Sequence, residues 1–430
     1  MARETYDYLI LGNGAAAVNG VEAIRRLDAA GSIGLVARES EHAYSRPLIT
    51  YRLAGAVDDA GMDYRGREFY RQLAVEARLG AEAASLETAR RQVRLRDGTA
   101  LGFGKLLIAT GGAPIRPPIE GSDTAGVFTF TTWADERAVD EWIGRHDMTH
   151  GAVVLGGGLI GLKCVEALSA RKVPTTVVEL ADRILPVTFD HDASRLAEAQ
   201  LARHGVSIRT NATIRKVVST GGAISAAVLS DGLTLNCDML IMAIGVRPDL
   251  ALVQGTAVKV ERGILVDERM ESSVAGIFAA GDVAQGLESL TGRRMPIPIL
   301  PVAARQGRVA GTNMAGGEAR FDGGLAMNAV DVVGLPTISV GQTVELEGDE
   351  VLRRLDERAG TYRKLVLRDG RIVGVILIGQ IERAGILTGL IRSRVDVSGL
   401  KHLLLTDQFG LLSLPADYRA HMVSGMGIEV

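Results

Sequence analysis

The stretch from Gly151 to Leu180 limits what this chain can fold into more than any other. It opens on a short apolar run, Ala152 to Leu155, and continues with Gly156, Gly158 and Gly161 at GxGxxG spacing. A helix-like segment follows from Leu159 to about Arg171, then a β-branched run, Thr175 to Val178, that ends at Glu179. Strand, glycine turn, helix, strand and terminal carboxylate in this order make a βαβ unit that cradles a dinucleotide. The first glycine permits the tight turn, the second lets the backbone approach a pyrophosphate, and the third lets helix pack on strand. Leu159 and Ile160 open the helix, whose free N–H groups and positive dipole end attract phosphate. Glu179 stands roughly 20 residues beyond the glycines, where an acidic side chain takes the ribose hydroxyls. A carboxylate there repels a 2′-phosphate, so NAD(H) is expected rather than NADP(H).

The pattern occurs a second time, at the start of the chain. Tyr6 to Gly12 reads as a buried strand, and Gly12, Gly14 and Ala17 give the GxGxxA form, with Asn13, Ala15 and Ala16 filling the turn. A helix is expected to about Ala29, with Ile24 and Leu27 on its apolar side, and Ile33 to Ala37 is the second strand. Glu39 is the matching ribose ligand, one place later than the motif expects; the plain reading is a solvated turn residue. Two such units imply two dinucleotides, and that pairing suggests FAD exchanging hydride with NAD(H).

Composition sets the outer bounds. A chain of 430 residues holds two to four domains, and 47% hydrophobic content supports real cores. A net charge of -3 gives no reason to expect nucleic acid or an anionic membrane as partner. Aromatic residues make up only 4%, which argues against stacking platforms for sugars or single strands. The two cysteines, Cys164 and Cys237, cannot form a CxxC pair, a zinc site or a cluster cradle by themselves. The first strand begins almost at once, which speaks against a signal peptide. The longest clean apolar run, Ile372 to Gly379, is too short to span a bilayer. A soluble, cytoplasmic protein without membrane insertion is expected. His42, His146, His150, His191, His204, His402 and His421 are scattered and read as surface or structural residues.

Further segments narrow the reading. Leu106 to Gly111 is LLIATG, Ile244 to Pro248 is IGVRP, Gly276 to Ala284 is GIFAAGDVA, and Tyr44 to Leu48 is YSRPL. In this order, across nearly the whole chain, they resemble the two-dinucleotide flavoprotein reductases of the pyridine nucleotide-disulfide oxidoreductase superfamily. YSRPL resembles most the branch of rubredoxin reductases, ferredoxin reductases of oxygenase systems and the flavin domain of assimilatory nitrite reductases. The resemblance implies an α/β fold with two Rossmann-like dinucleotide-binding domains and a C-terminal α/β interface domain. The FAD domain would be split, at 1–115 and 245–325, by an NAD domain at 116–244, with the interface domain at 326–430. Pro114, Pro117 and Pro118 suit the outgoing connection and Pro248 the return. The FAD site would then comprise Gly12, Asn13, Gly14, Ala15, Ala16, Glu39, Arg46, Pro47, Ala83, Ala109, Thr110, Gly111, Gly281 and Asp282, with Asp282 on the ribitol chain. The NAD site would comprise Gly156, Gly158, Leu159, Ile160, Gly161, Glu179 and Gly245. In the last domain, Tyr362 to Leu367 and Ile372 to Ile378 flank the turn Asp369-Gly370, a hairpin signal. In the family this domain packs on the flavin face or makes a dimer. Val395 to Val430 is the least interpretable part.

The sequence also departs from its relatives. Disulfide reductases of the superfamily carry one or two cysteines after the first ribose site, where this chain has Tyr44, Ser45, Arg46, Pro47 and Leu48. No dithiol relay is therefore expected, and electrons reaching the flavin must leave to an external acceptor. Where many relatives place a Lys–Glu pair beside the flavin, this chain has Tyr51 and Lys163. Two readings of Lys163 stand: a charge at the nicotinamide–flavin contact, or a side chain snorkelling out along its helix. The resemblance implies an FAD-dependent NAD(H) oxidoreductase exchanging single electrons with an iron–sulfur or other one-electron carrier. It would work alone, as a homodimer, or as the NAD-coupling subunit of a hetero-oligomeric complex such as a 2-oxo-acid dehydrogenase or nitrite reductase. A stand-alone NADH oxidase or diaphorase, and a non-catalytic FAD/NADH-binding scaffold, are the alternatives. Arg293 and Arg294 read either as a docking site for an acidic carrier or as ordinary loop residues.

Overall fold

Apolar runs too short for helices and closed off by glycine or proline become buried parallel strands, and the longer segments between them become the covering helices. The computed structural model describes residues 4–414 together with Ala416, Tyr418 and Arg419. Its first sheet is seven-stranded. Thr5–Leu11 sits at the centre, parallel to Ile33–Ala37 on one side and Ala100–Ile108 on the other. Val75–Leu79 extends one edge, and the meander Ala83–Glu87 and Gln92–Leu95 the other. Ile277–Ala279 also pairs with Ala100–Ile108, so a strand from the later part of the chain completes the sheet begun by the first hundred residues.

A second sheet, five-stranded, lies between these two contributions in sequence. Ala152–Leu155 is central, parallel to Thr175–Val178 and to Met239–Met242, with Ser207–Arg209 and Val127–Thr129 at the edges. A three-stranded antiparallel sheet, Ile214–Thr220, Ala223–Leu229 and Thr234–Asn236, covers part of it. Where the chain leaves and re-enters the first sheet, Gly112–Pro114 pairs antiparallel with Val246–Pro248. The two crossings are thus hydrogen-bonded to each other.

The third sheet is antiparallel, in the spatial order Met327–Val332, Leu335–Gly341, Arg371–Ile378, Thr361–Arg368, Glu350–Asp356. Asp369 and Gly370 take φ of +49° and +71°, the two left-handed positions that a tight hairpin turn requires. Helix Ala384–Arg392 packs on this sheet through Leu387, Leu390 and Ile391. His421 and most of the tail beyond Leu414 lie outside the described residues.

The first helix spans Ala15–Leu27, and Ile24 is buried as its pattern predicts. Leu27 is not: it is 56% exposed. It occupies the last turn of the helix. No helix among the described residues is long and apolar enough to cross a membrane; Arg371–Ile378 is a strand.

Candidate functional site

Both glycine loops open onto one cavity of about 1520 Å³, well above the ~300–1,000 Å³ of ordinary ligand pockets. Gly12 and Gly156 take φ of +116° and +112°. A Cβ on Gly156 would stand 2.5 Å from the carbonyl oxygen of Ala243, so the turn excludes any side chain. A Cβ on Gly161 would stand 1.9 Å from the carbonyl oxygen of Gly156, which is the close helix–strand approach the third glycine permits. Gly14 and Gly158 have no neighbour within 4 Å of that position. They are the helix N-caps, without a capping side chain, so the first-turn N–H groups face open space. The geometry fits a pyrophosphate at each loop.

The cavity wall gathers the residues expected of both sites. From the first set it takes Gly12, Asn13, Gly14, Ala15, Ala16, Glu39, Arg46, Pro47, Ala83, Ala109, Thr110, Gly111, Gly281 and Asp282. From the second it takes Gly156, Gly158, Leu159, Ile160, Glu179 and Gly245, together with Lys163. Gly161 does not line it, in keeping with its packing position. None of the six described histidines lines it either, and Arg293 and Arg294 lie outside it.

Glu39 does not project freely. One carboxylate oxygen accepts from the Tyr44 hydroxyl at 2.6 Å and the other from Arg46 Nη2 at 2.6 Å. Its late position in the motif thus ties the YSRP segment to the end of the second strand. Glu179 accepts from the backbone N–H of Gly157 at 2.6 Å and of Ala181 at 2.8 Å, shaping the second loop while facing the cavity. Asp282 has no hydrogen bond from the described residues, and burial raises its pKa against the opposing pull of Arg46. A desolvated carboxylate on a cavity wall is what a polyhydroxyl chain would satisfy.

Lys163 lies in the wall with its side chain 19% exposed, so it does not snorkel out. Its ammonium sits 4.5 Å from the centre of the Tyr51 ring and 3.4 Å from the Tyr51 hydroxyl, and it pairs with Glu166. Tyr51 belongs to helix Ile49–Leu53, next to the first site; Lys163 belongs to the helix of the second. Beside them Arg52 makes two bonds, of 2.8 and 3.0 Å, to the buried Glu136 of helix Trp133–Arg145. Arg171 bonds the Leu53 carbonyl at 3.1 Å. These contacts tie helix Ile49–Leu53 to helices Trp133–Arg145 and Leu159–Ala170.

Several wall residues carried no sequence signal. Glu288, Pro296 to Ile299, and Asn328 to Asp331 reach the cavity from segments distant in sequence, the last from the third sheet. The packing of the third sheet places Asn328 to Asp331 there.

The model of the pyridine nucleotide-disulphide oxidoreductase family matches residues 6–307 of the chain. The chain belongs to that family. Residues 327–395 also match the C-terminal domain of rubredoxin NAD+ reductase. Among curated relatives, the NADH-dependent phenylglyoxylate dehydrogenase subunit epsilon of Aromatoleum evansii is 33% identical over 403 residues, covering 93% of this chain and 94% of that one. An NADH oxidase of Methanocaldococcus jannaschii is 33% identical over 321 residues, covering 73% and 71%. Among solved structures, an NAD-dependent persulfide reductase from A. fulgidus superposes with a TM-score of 0.84 at 28% identity, covering 93% and 79%. As a family member the chain is an oxidoreductase that works with FAD and NAD(H). The family name mentions a disulphide that this chain does not offer. Cys164 and Cys237 are both fully buried, in separate cores, and neither lines the cavity. Burial raises both thiols, Cys237 to about 12, so neither is a reactive thiolate.

Proposed function

We propose that the chain is an FAD-dependent NADH:acceptor oxidoreductase that passes single electrons to an iron–sulfur or other one-electron partner. The observation that carries this reading is the single cavity: both glycine loops open into it, so two bound dinucleotides would meet at its middle, and no thiol lines it. FAD would occupy the cradle of Gly12 to Ala16, with Asp282 on its ribityl hydroxyls. NAD(H) would occupy the cradle of Gly156 to Ile160, with Glu179 on its ribose. The nicotinamide and flavin supply the hydride exchange when bound. The chain orients them, excludes water, and keeps Lys163 as a fixed positive charge at their junction, where negative charge accumulates on reduction.

This assignment divides the chain into a split FAD domain at 1–115 and 245–325, an NAD domain at 116–244 and an interface domain at 326–430. The sheet completed by Ile277–Ala279 and the paired crossings at Gly112–Pro114 and Val246–Pro248 support that division. Two buried cysteines cannot hold an iron–sulfur cluster, so the one-electron centre belongs to another chain. The similarity to a dehydrogenase subunit along nearly its whole length favours the NAD-coupling subunit of a larger complex. The similarity to an NADH oxidase favours a second reading, in which oxygen is the acceptor. The test of the first is purification of the native protein with whatever binds it. A copurifying chain with a one-electron centre that oxidises the reduced flavin is expected; a lone protein that consumes oxygen at full speed supports the second.

A further inference from the structure

The cavity wall includes Leu185 to Thr188, in the loop that follows Glu179. Leu185 takes φ of +51°, a left-handed conformation that a non-glycine residue holds only when its surroundings dictate it. At its start the loop is tied to the glycine turn, with Leu185 N–H donating to the Gly157 carbonyl at 2.9 Å. At its end stands Asp190, the N-cap of helix His191–Arg203. One oxygen of Asp190 accepts from Ala193 N–H at 3.0 Å. The other accepts from the Tyr362 hydroxyl at 2.6 Å and lies 3.1 Å from Lys364 Nζ. Tyr362 and Lys364 belong to strand Thr361–Arg368 of the third sheet.

Lys364 is the odd residue in this arrangement. Its side chain is only 3% exposed, and Glu345, at 2.7 Å, is its second partner. Burying an ammonium is unfavourable, and an apolar side chain of similar volume is often no less stable in such a place. A charge retained there specifies a position more than it adds stability. The surroundings agree: Ile184, Leu185 and Phe189 of the loop share one core with Val332, Tyr362, Ile376 and Ile378 of the third sheet. Arg195 with Glu357 at 2.7 Å and Gln200 with the Val333 carbonyl at 2.7 Å continue the seam along the helix.

We infer that Lys364, Tyr362 and Asp190 form a clamp by which the C-terminal domain sets the shape of the loop 185–190, and so the affinity of the second cradle for NAD(H). Lys364 and Tyr362 are positioning residues, acting on the nucleotide through a loop they do not share a sequence segment with. The inference rests on the assignment of that cradle to NAD(H).

The test titrates oxidised, FAD-loaded full-length protein with NAD+, a binding readout that needs no turnover. Lys364→Met is expected to weaken NAD+ about tenfold, a loss typical of a positioning hydrogen-bond network, and Lys364→Arg to recover most of it. FAD content stays at the wild-type level, and KM for NADH rises while kcat at saturating NADH holds. A folded Lys364→Met protein with wild-type NAD+ affinity overturns the clamp, whatever its melting temperature. Should Lys364→Met fail to fold, Tyr362→Phe keeps the ring and removes one hydrogen bond; a loss of about threefold supports the clamp and no loss overturns it. Wild-type protein that binds no NAD+ overturns the cradle assignment and the clamp together, so the two failures are distinguishable.

Discussion

At the scale of single residues, the account turns on two carboxylates with opposite surroundings. Asp282 is half-buried on the cavity wall, within electrostatic reach of Arg46, and takes no hydrogen bond from the described residues. Removing it as Asp282→Ala is expected to weaken FAD retention about 10- to 100-fold, the range of a hydrogen bond to a charged group. The flavin-to-protein absorbance ratio after dialysis measures this. Glu179 instead is already held by two backbone N–H groups, which fix it toward the cavity. Glu179→Gln keeps the side-chain oxygen but removes the charge that repels a 2′-phosphate. The preference for NADH over NADPH is then expected to narrow by about 1–3 kcal/mol in kcat/KM. Glu179 was legible because it sits at a fixed offset from a glycine turn that the backbone demands, whereas Asp282 was picked out only by the resemblance of its segment, GIFAAGDVA, to the family's. Glu39 lines the cavity at the place its motif marks, but its partners were not legible in the sequence. Its bonds to Tyr44 and Arg46 arise because the YSRP segment folds back over the strand end.

At the scale of elements, the strands and nucleotide-binding helices follow from local pattern, whereas the contacts between them do not. Helix Leu300–Met314 shows why. A Cβ on Gly307 would lie 2.0 Å from the Ala16 carbonyl oxygen and one on Gly311 2.2 Å from that of Gly20, so two helices far apart in sequence touch backbone to backbone. Nothing in either segment alone names the other. Arg52 with Glu136, and Asp190 with Lys364, are equally non-local, each pairing residues from different units. Leu27 shows the converse error: its spacing is apolar, but its side chain is exposed in the last turn of the helix. The Asp190 seam carries a pH prediction. Burial raises the Asp190 carboxyl, but the bonds from Tyr362, Ala193 and Lys364 outweigh it and leave it below its ordinary value. Glu345 is lowered too, chiefly by its bond from Lys364. Stability from groups with lowered pKa is fully present above the unfolded carboxylate range, near pH ~4, and is lost as pH falls through the lowered values. Melting curves between neutral and acid pH test this. The difference between wild type and Lys364→Met is expected to move against the wild type as pH falls from about 4 through those lowered values, where Lys364 stays buried while its counter-charges are lost.

At the scale of the whole molecule, the fold brings two nucleotide cradles to one cavity and gives its electrons no thiol to pass through. The two cradles were legible in the sequence, because buried parallel strands and glycine turns leave a dense local pattern. The share of the wall contributed by the C-terminal sheet did not show, because it depends on how that sheet packs. Replacing both cysteines, as Cys164→Ser with Cys237→Ser, is expected to leave NADH:dye reduction at close to the wild-type rate. The cost falls on stability, because each hydroxyl enters a site with no partner prepared for it. The measurement that tests the central claim most directly is anaerobic stopped-flow reduction by NADH followed by a second mix. The account predicts rapid bleaching of the flavin, slow recovery of its absorbance in air-saturated buffer, and rapid recovery with a one-electron carrier. Recovery in air at the full turnover rate, with no partner present, would contradict it.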